Sequence, residues 1–150
     1  MKKSLLMSAV VFMAFIAGCK KPQAEEAVPA VSLEVTGIEN NCATIRATLV
    51  EGNFYGAKLI ESMVIGDVDI DYTKDIQLVN FVEEYGTAVT FPYEKTIEKV
   101  RIGQDRFTAV IVYDKSGRAS AAAYEVWTPE GNPDGWSSEN NPGELGEINW

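Results

Sequence analysis

Residues 107–129 read FTAVIVYDKSGRASAAAYEVWTP, and this stretch decides the fold class of the chain. Its first seven residues are largely apolar on both faces of an extended chain, which is typical of a strand buried on both sides. Residues 114–117 predict a hairpin loop in which Gly117 takes the positive φ that the turn requires. Residues 118–128 predict the returning strand, which Pro129 closes. The stretch therefore predicts an antiparallel hairpin that contains the most buried strand of the protein.

The chain before this hairpin has further runs with the pattern of β-strands. Residues 58–65 fit a strand or a helix, but Gly56 and Gly66 bound them at strand length. Pro92 confines the strand that contains it to a sheet edge or a bulge, because proline has no N–H for a hydrogen-bonded ladder. We predict five strands in this part, at residues 31–36, 43–50, 58–65, 87–93 and 96–102.

Residues 73–85 change to the period of an amphipathic helix. Its apolar stripe recurs every three residues and is widened by two flanking side chains, and it comprises Ile76, Val79, Val82 and Tyr85 with Leu78 and Phe81. We predict a short helix over about residues 74–85, with Thr73 as its N-cap and Asp75 in its first turn. Gly86 is expected at the C′ position. The helix is expected to cover an open edge or end of a β-sandwich.

A family resemblance supports the sandwich. Residues 102–117, IGQDRFTAVIVYDKSG, followed by residues 124–129, YEVWTP, resemble the last hairpin of a fibronectin type III-like domain. The resemblance extends over roughly residues 31–129 and is close to short modules in lipoproteins of Bacteroidales-type bacteria. It implies a mainly β, immunoglobulin/fibronectin type III-like antiparallel sandwich, here with one inserted helix. Phe107 stands where the family usually carries the tyrosine of its tyrosine corner.

The first 18 residues have the features of a bacterial secretory signal peptide. A basic start precedes an apolar run at residues 5–17 that is too short to span a bilayer comfortably. Residues 16–19, IAGC, resemble a lipobox, which implies cleavage between Gly18 and Cys19 and attachment of lipid, palmitate included, at Cys19. Two or more acyl chains anchor a protein stably. We predict a lipid anchor in the outer membrane, with the periplasmic face and the cell surface both open; an ordinary signal peptide with a chance cysteine is the alternative.

The mature chain divides into three parts by composition. Residues 19–30 form a lipidated tether, residues 31–129 the sandwich, and residues 130–150 an acidic tail rich in proline and glycine. The tail is predicted not to order itself, so its deletion is expected to leave the sandwich folded. If Cys19 carries lipid, Cys42 has no cysteine left in its own chain, and it is either a small buried hydrophobe or pairs with another chain.

Composition excludes several classes of function. The formal net charge is −9, from 22 acidic and 13 basic residues, which argues against nucleic acid as a partner. The chain contains no histidine, so neither a Ser-His-Asp triad nor a Cys-His pair can form. The sequence shows no phosphate-binding or dinucleotide motif. We therefore expect no catalytic residues, no enzymatic activity and no cofactor.

Exposed aromatic side chains are the remaining candidates for binding, because they combine apolar area with a polar edge. We select Trp136, Trp150, Tyr55 and Tyr72. A run of alternating carboxylates, Asp67, Asp69 and Asp71, is a weak calcium candidate, with a solvated acidic face as the alternative. The sequence predicts a non-catalytic binding or adhesion module for a protein or glycan. The alternative is an accessory subunit of an outer-membrane complex that docks through its acidic tail.

Overall fold

The structure is a computed structural model that describes residues 27–137. The signal peptide, Gly18, Cys19, most of the tether, Trp150 and the rest of the tail beyond residue 137 lie outside the described residues. The elements in chain order are β1 (Ala30–Glu39), β2 (Cys42–Glu51), β3 (Ala57–Val64), α1 (Asp75–Tyr85), β4 (Thr87–Val89), β5 (Tyr93–Ile97), β6 (Arg106–Tyr113) and β7 (Ala119–Trp127).

The strands form two antiparallel sheets that pack face to face. One sheet has the order β1-β2-β5, and the other has the order β4-β3-β6-β7. An apolar core between the sheets is built by alternating inward-facing residues, among them Val35, Ile45, Leu59, Val110 and Trp127. The predicted mainly β antiparallel sandwich with one inserted helix is therefore confirmed.

The helix forms a third layer on the outer face of the four-stranded sheet. Leu78 and Val82 of α1 pack there with residues of β3 and β6, including Phe107 and Ile111. The prediction that the helix covers an edge or end of the sandwich is wrong. Because β6 has the second sheet on one face and the helix on the other, it is buried on both, as its sequence predicted.

The cap residues and buried face of the helix differ from the prediction. Lys74 occupies the N-cap position without a side-chain hydrogen bond, whereas the Thr73 N–H donates to the Asp71 carboxylate at 3.1 Å. Gly86 has a φ of −76° and not the expected left-handed conformation. A Cβ at Gly86 would lie 2.5 Å from the carbonyl oxygen of Val82, so the close approach excludes a side chain.

The apolar face predicted for the helix is rotated away from the face that the helix buries against the sheet. Ile76 is 66% exposed and Tyr85 is 59% exposed, while Leu78 and Val82 are buried. A period of three drifts around a helix of 3.6 residues per turn, and residues four apart stay on one face. The i, i+4 pair of Leu78 and Val82 therefore marks the buried face better than the three-residue repeat.

Two late strands are shorter than predicted. β4 ends at Val89, and β5 begins at Tyr93, with Pro92 between them. Each strand lies at the edge of a different sheet. The prediction of a strand over residues 96–102 is wrong beyond Ile97, since the chain leaves the sheet there to reach β6.

The start of the tail folds back onto one end of the sandwich. Asn41, which is 5% exposed, donates from its side-chain amide to the carbonyls of Val100 at 2.9 Å and Asn132 at 2.8 Å. Its amide oxygen accepts the Asn132 N–H at 2.7 Å, and its backbone N–H donates to the carbonyl of Glu130 at 2.8 Å. The Ser137 N–H donates to the carbonyl of Lys99 at 3.0 Å. Residues 130–137 are thus ordered by hydrogen bonds rather than by apolar burial, which the composition argument overlooked.

The predicted hairpin loop is organised by one carboxylate. Gly117 has a φ of +88°, as the turn required. The Asp114 carboxylate accepts hydrogen bonds from the Ser116 hydroxyl at 2.6 Å, the Ser116 N–H at 2.9 Å and the Arg118 N–H at 3.0 Å. The hydrogen bond from the Ser116 side chain is the largest cause that lowers the pKa of Asp114, followed by the one from the Arg118 backbone.

This lowered pKa predicts a pH-dependent effect of Asp114→Asn. A carboxylate whose folded-state pKa is depressed contributes stability above its ordinary pKa and loses it as the pH falls through the folded value. The melting temperature of the wild type should therefore exceed that of the variant above about pH 5, and the difference should shrink towards pH 2. Thermal melts across this range measure it. A difference that stays constant or grows on acidification would contradict the prediction.

Candidate functional site

The two sides of the sandwich differ in how well the edges of the two sheets are closed, and the side at the β3 edge is the open side. On one side, β1 packs against β7, and the Val35 N–H donates to the Glu125 carboxylate at 3.2 Å. On the other side, β4 pairs only with Ala57, Lys58 and Leu59 of β3, and the rest of that β3 edge is uncovered by β4. A cleft of about 740 Å³ lies there, lined by Leu59, Ile60, Glu61, Ser62, Met63, Tyr85, Thr87, Ala88, Val89, Tyr93 and Lys95.

A β-bulge in β3 shapes the floor of this cleft. Ile60 pairs with Ala109, and Met63 pairs with Phe107. Between these two pairs, β3 has two residues, Glu61 and Ser62, whereas β6 has only one. A bulge interrupts the ladder and re-aims side chains. The sequence carries no glycine or proline at this position, so no pattern signalled the bulge.

Two polar contacts from β6 hold the bulge against the core. The Thr108 hydroxyl donates to the carbonyl of Glu61 at 2.6 Å and accepts the Trp127 indole N–H at 2.9 Å. The fully buried Arg106 donates to the Ser62 hydroxyl at 3.0 Å. Both bulge residues are thereby fixed from the β6 side, since a buried carbonyl or hydroxyl is costly to leave unbonded.

The Glu61 side chain meets two residues of β5 at the cleft. The Tyr93 hydroxyl donates to one carboxylate oxygen, and the Lys95 ammonium lies 2.9 Å and 3.2 Å from the two oxygens. Tyr93 and Lys95 are two apart on one strand and so share a face. Burial, followed by the hydrogen bond to Glu61, raises the pKa of Tyr93. The phenol therefore stays protonated and acts as a hydrogen-bond donor.

The aromatic residues selected from the sequence lie in three separate places, none of them this cleft. Tyr55, 42% exposed, lines a shallow pocket of about 260 Å³ beside the hairpin loop. Tyr72 packs against Phe107, with ring centroids 5.8 Å apart, on the helix side of the sheet. Trp136 lies beneath the Arg101 guanidinium, 4.9 Å from the ring centroid. Trp150 lies outside the described residues.

The three aspartates do not converge on a common point. Asp67 ends a 3₁₀ turn. The Asp71 carboxylate accepts a hydrogen bond from the Thr73 hydroxyl, and the Lys74 ammonium lies 3.5 Å from it. Hydrogen bonds from Thr73 lower the pKa of Asp71. Within residues 27–137 no group of three or more His, Cys, Asp or Glu side chains is arranged to hold a metal ion.

Cys42 was expected to be a buried hydrophobe or to pair with another chain. Cys42 is half-buried rather than buried, and its thiol contacts the carbonyl oxygen of Asn40 at 3.4 Å. It is a free thiol at the start of β2.

Among the described residues, no helix has the length and apolar character needed to cross a membrane.

No model of a known protein family matches the chain. Searches of curated proteins and of solved structures also find no significant match.

The Thr108 hydroxyl gives a test of how the bulge is anchored. Thr108→Val keeps the shape of the side chain but removes a donor to the Glu61 carbonyl and an acceptor of the Trp127 indole N–H. We expect a loss of about 1–3 kcal/mol in the free energy of unfolding, because the buried Trp127 indole N–H and the part-buried Glu61 carbonyl lose their bonds. Urea unfolding measures this loss. Thr96→Val, at an exposed threonine of β5, is the control and should change stability much less.

Proposed function

We propose that this chain is a lipid-anchored envelope protein whose sandwich is a non-catalytic binding module for a protein or glycan. The cleft on the open side of the sandwich is the observation that carries the binding role. It is concave and mostly apolar, with a few polar groups held in place by β3 and β5. Pockets that bind ligands commonly have this composition.

The polar groups of the cleft suit binding better than catalysis. Glu61 is the one carboxylate in the lining, whereas two-carboxylate hydrolysis requires a pair. Its charge is offset by Lys95, and the raised pKa of Tyr93 keeps the phenol protonated, so that no phenolate is available as a general base. The three groups offer fixed donors and acceptors without an activated nucleophile.

The cleft is a better candidate than the acidic tail for the main contact surface. Residues 130–137 are engaged by Asn41 and by the carbonyl of Lys99, and Trp136 contacts Arg101. Docking of a partner through this part of the tail would require those contacts to break. The accessory-subunit alternative therefore depends on residues beyond 137.

Blocking the cleft tests the binding role. Thr87 is an exposed threonine in the lining, and Thr36 is an exposed threonine on β1. We expect Thr87→Trp to weaken binding of the full-length chain to immobilised envelope extract by at least about tenfold, and Thr36→Trp to leave it unchanged. Surface plasmon resonance measures both. Equal binding by the two variants would contradict a role for the cleft.

Lipid attachment is tested separately by Cys19→Ser. The IAGC stretch at residues 16–19 implies acylation of this thiol, and serine has no thiol to modify. We expect a clickable fatty-acid analogue to label the wild type and not the variant, and the variant to leave the outer-membrane fraction. Equal labelling with unchanged fractionation would show that Cys19 is not the anchor.

A further inference from the structure

The polar groups of the cleft carry no net charge between them. Glu61 contributes a carboxylate, Lys95 an ammonium within 2.9 Å of it, and Tyr93 a neutral hydroxyl. An anionic or cationic ligand would have to disrupt this ion pair to find a complementary charge. A neutral ligand with several donors and acceptors meets complementary groups without separating it.

The strands beside the cleft are poor templates for an added peptide strand. β4 has only three residues, Pro92 precedes β5, and β5 carries Glu94 and Lys95. Very short strands, proline and charges are the features by which proteins protect sheet edges from pairing. Recognition through a main-chain ladder is therefore disfavoured here.

The apolar part of the lining includes one exposed aromatic side chain. Tyr85, at the end of α1, is 59% exposed, and its ring centroid lies 4.8 Å from that of Phe81. Met63 and Val89 supply further apolar surface. A sugar ring presents apolar C–H groups on its faces and hydroxyls at its rim, so it can contact both parts of the cleft at once.

We propose that the cleft binds a neutral carbohydrate, with Glu61, Tyr93 and Lys95 contacting its hydroxyls and Tyr85 its apolar face. This inference rests on the proposed binding function and names the ligand class. Glu61 accepts hydrogen bonds from ligand hydroxyls, while Lys95 donates to their oxygens. The bulge fixes Glu61 through the Thr108 contact, so little ordering is needed on binding.

The test is a panel of neutral oligosaccharides and a matched panel of peptides, measured against the full-length chain in detergent by isothermal titration calorimetry. The oligosaccharides comprise gluco-, manno-, xylo- and galacto-series. We expect at least one series to bind. Glu61→Gln should weaken it by at least about tenfold, through the loss of a charged acceptor, and Tyr93→Phe by at least about threefold, through the loss of a neutral hydroxyl. Tyr124→Phe, on the helix side of the sheet, should bind as the wild type does. Melting temperatures verify that the variants fold.

The outcomes distinguish a failure of this inference from a failure of the proposed function. Carbohydrate binding that is lost only in the cleft variants supports both. Carbohydrate binding that the cleft variants leave unchanged overturns the site. Peptide binding at the cleft without carbohydrate binding overturns the ligand class and leaves the binding function standing. Binding of neither panel, with Thr87→Trp also without effect on envelope binding, overturns both.

Discussion

Asn41→Ala is expected to lower the free energy of unfolding by about 3–5 kcal/mol, because it removes three hydrogen bonds of a buried amide. Those bonds join the β1–β2 turn to the carbonyl of Val100 and to both backbone groups of Asn132. Without them, the start of the tail loses its main attachment to the sandwich. Urea unfolding measures the loss, and tryptophan fluorescence should shift to the red as Trp136 becomes more exposed.

A matched control separates these bonds from backbone strain. Asn40 and Asn41 both have a positive φ, 51° and 63°, but Asn40 is exposed. Asn40→Ala therefore introduces similar strain without removing the bonds to the tail. We expect it to cost much less than Asn41→Ala. If the two variants were equally destabilised, the tail contacts would contribute little and the earlier expectation of a dispensable tail would stand.

Ile111→Ala is expected to cost about 2–5 kcal/mol, the range for large-to-small changes in a core. Ile111 is fully buried in the cluster between β6 and the helix. Its truncation leaves a cavity between rigid layers that cannot easily collapse. Chemical denaturation of the full-length chain measures the change.

The control for this prediction lies on the helix. Ile76 belongs to the apolar stripe read from the sequence, but it is 66% exposed. Ile76→Ala should therefore change stability by no more than about 0.5 kcal/mol. An unchanged melting temperature for Ile111→Ala would mean that the helix does not cover this face of β6. A large loss for Ile76→Ala would mean that the helix presents its other face to the sheet.

The strands could be predicted because their pattern is local. Alternation in β2 and the two apolar faces of β6 follow directly from a period of two, and Asp114 to Gly117 is a turn on its residue types alone. The position of the helix was not predictable in this way. Whether it covers an edge or a face depends on which strand faces are left uncovered, and that is a property of the sheet order.

The cleft could not be predicted because it arises from features distant in sequence. It requires β4 to end at Val89, β3 to bulge at Glu61, and β5 to place Tyr93 opposite that bulge. None of these residues is unusual for a strand. The order of residues 130–137 was hidden for a related reason, since it depends on Asn41, some 90 positions away, rather than on the tail's own composition.

The most direct test of the cleft as a binding site is a map of amide chemical shifts. The full-length chain, labelled with ¹⁵N in detergent micelles, is titrated with solubilised envelope glycans and peptides. Binding at the cleft predicts that the largest changes fall at Glu61, Thr87 and Tyr93, with little change at Tyr55 or Tyr124. Changes centred on Tyr55, on Tyr124 or on the tail, with the cleft amides unmoved, would contradict it.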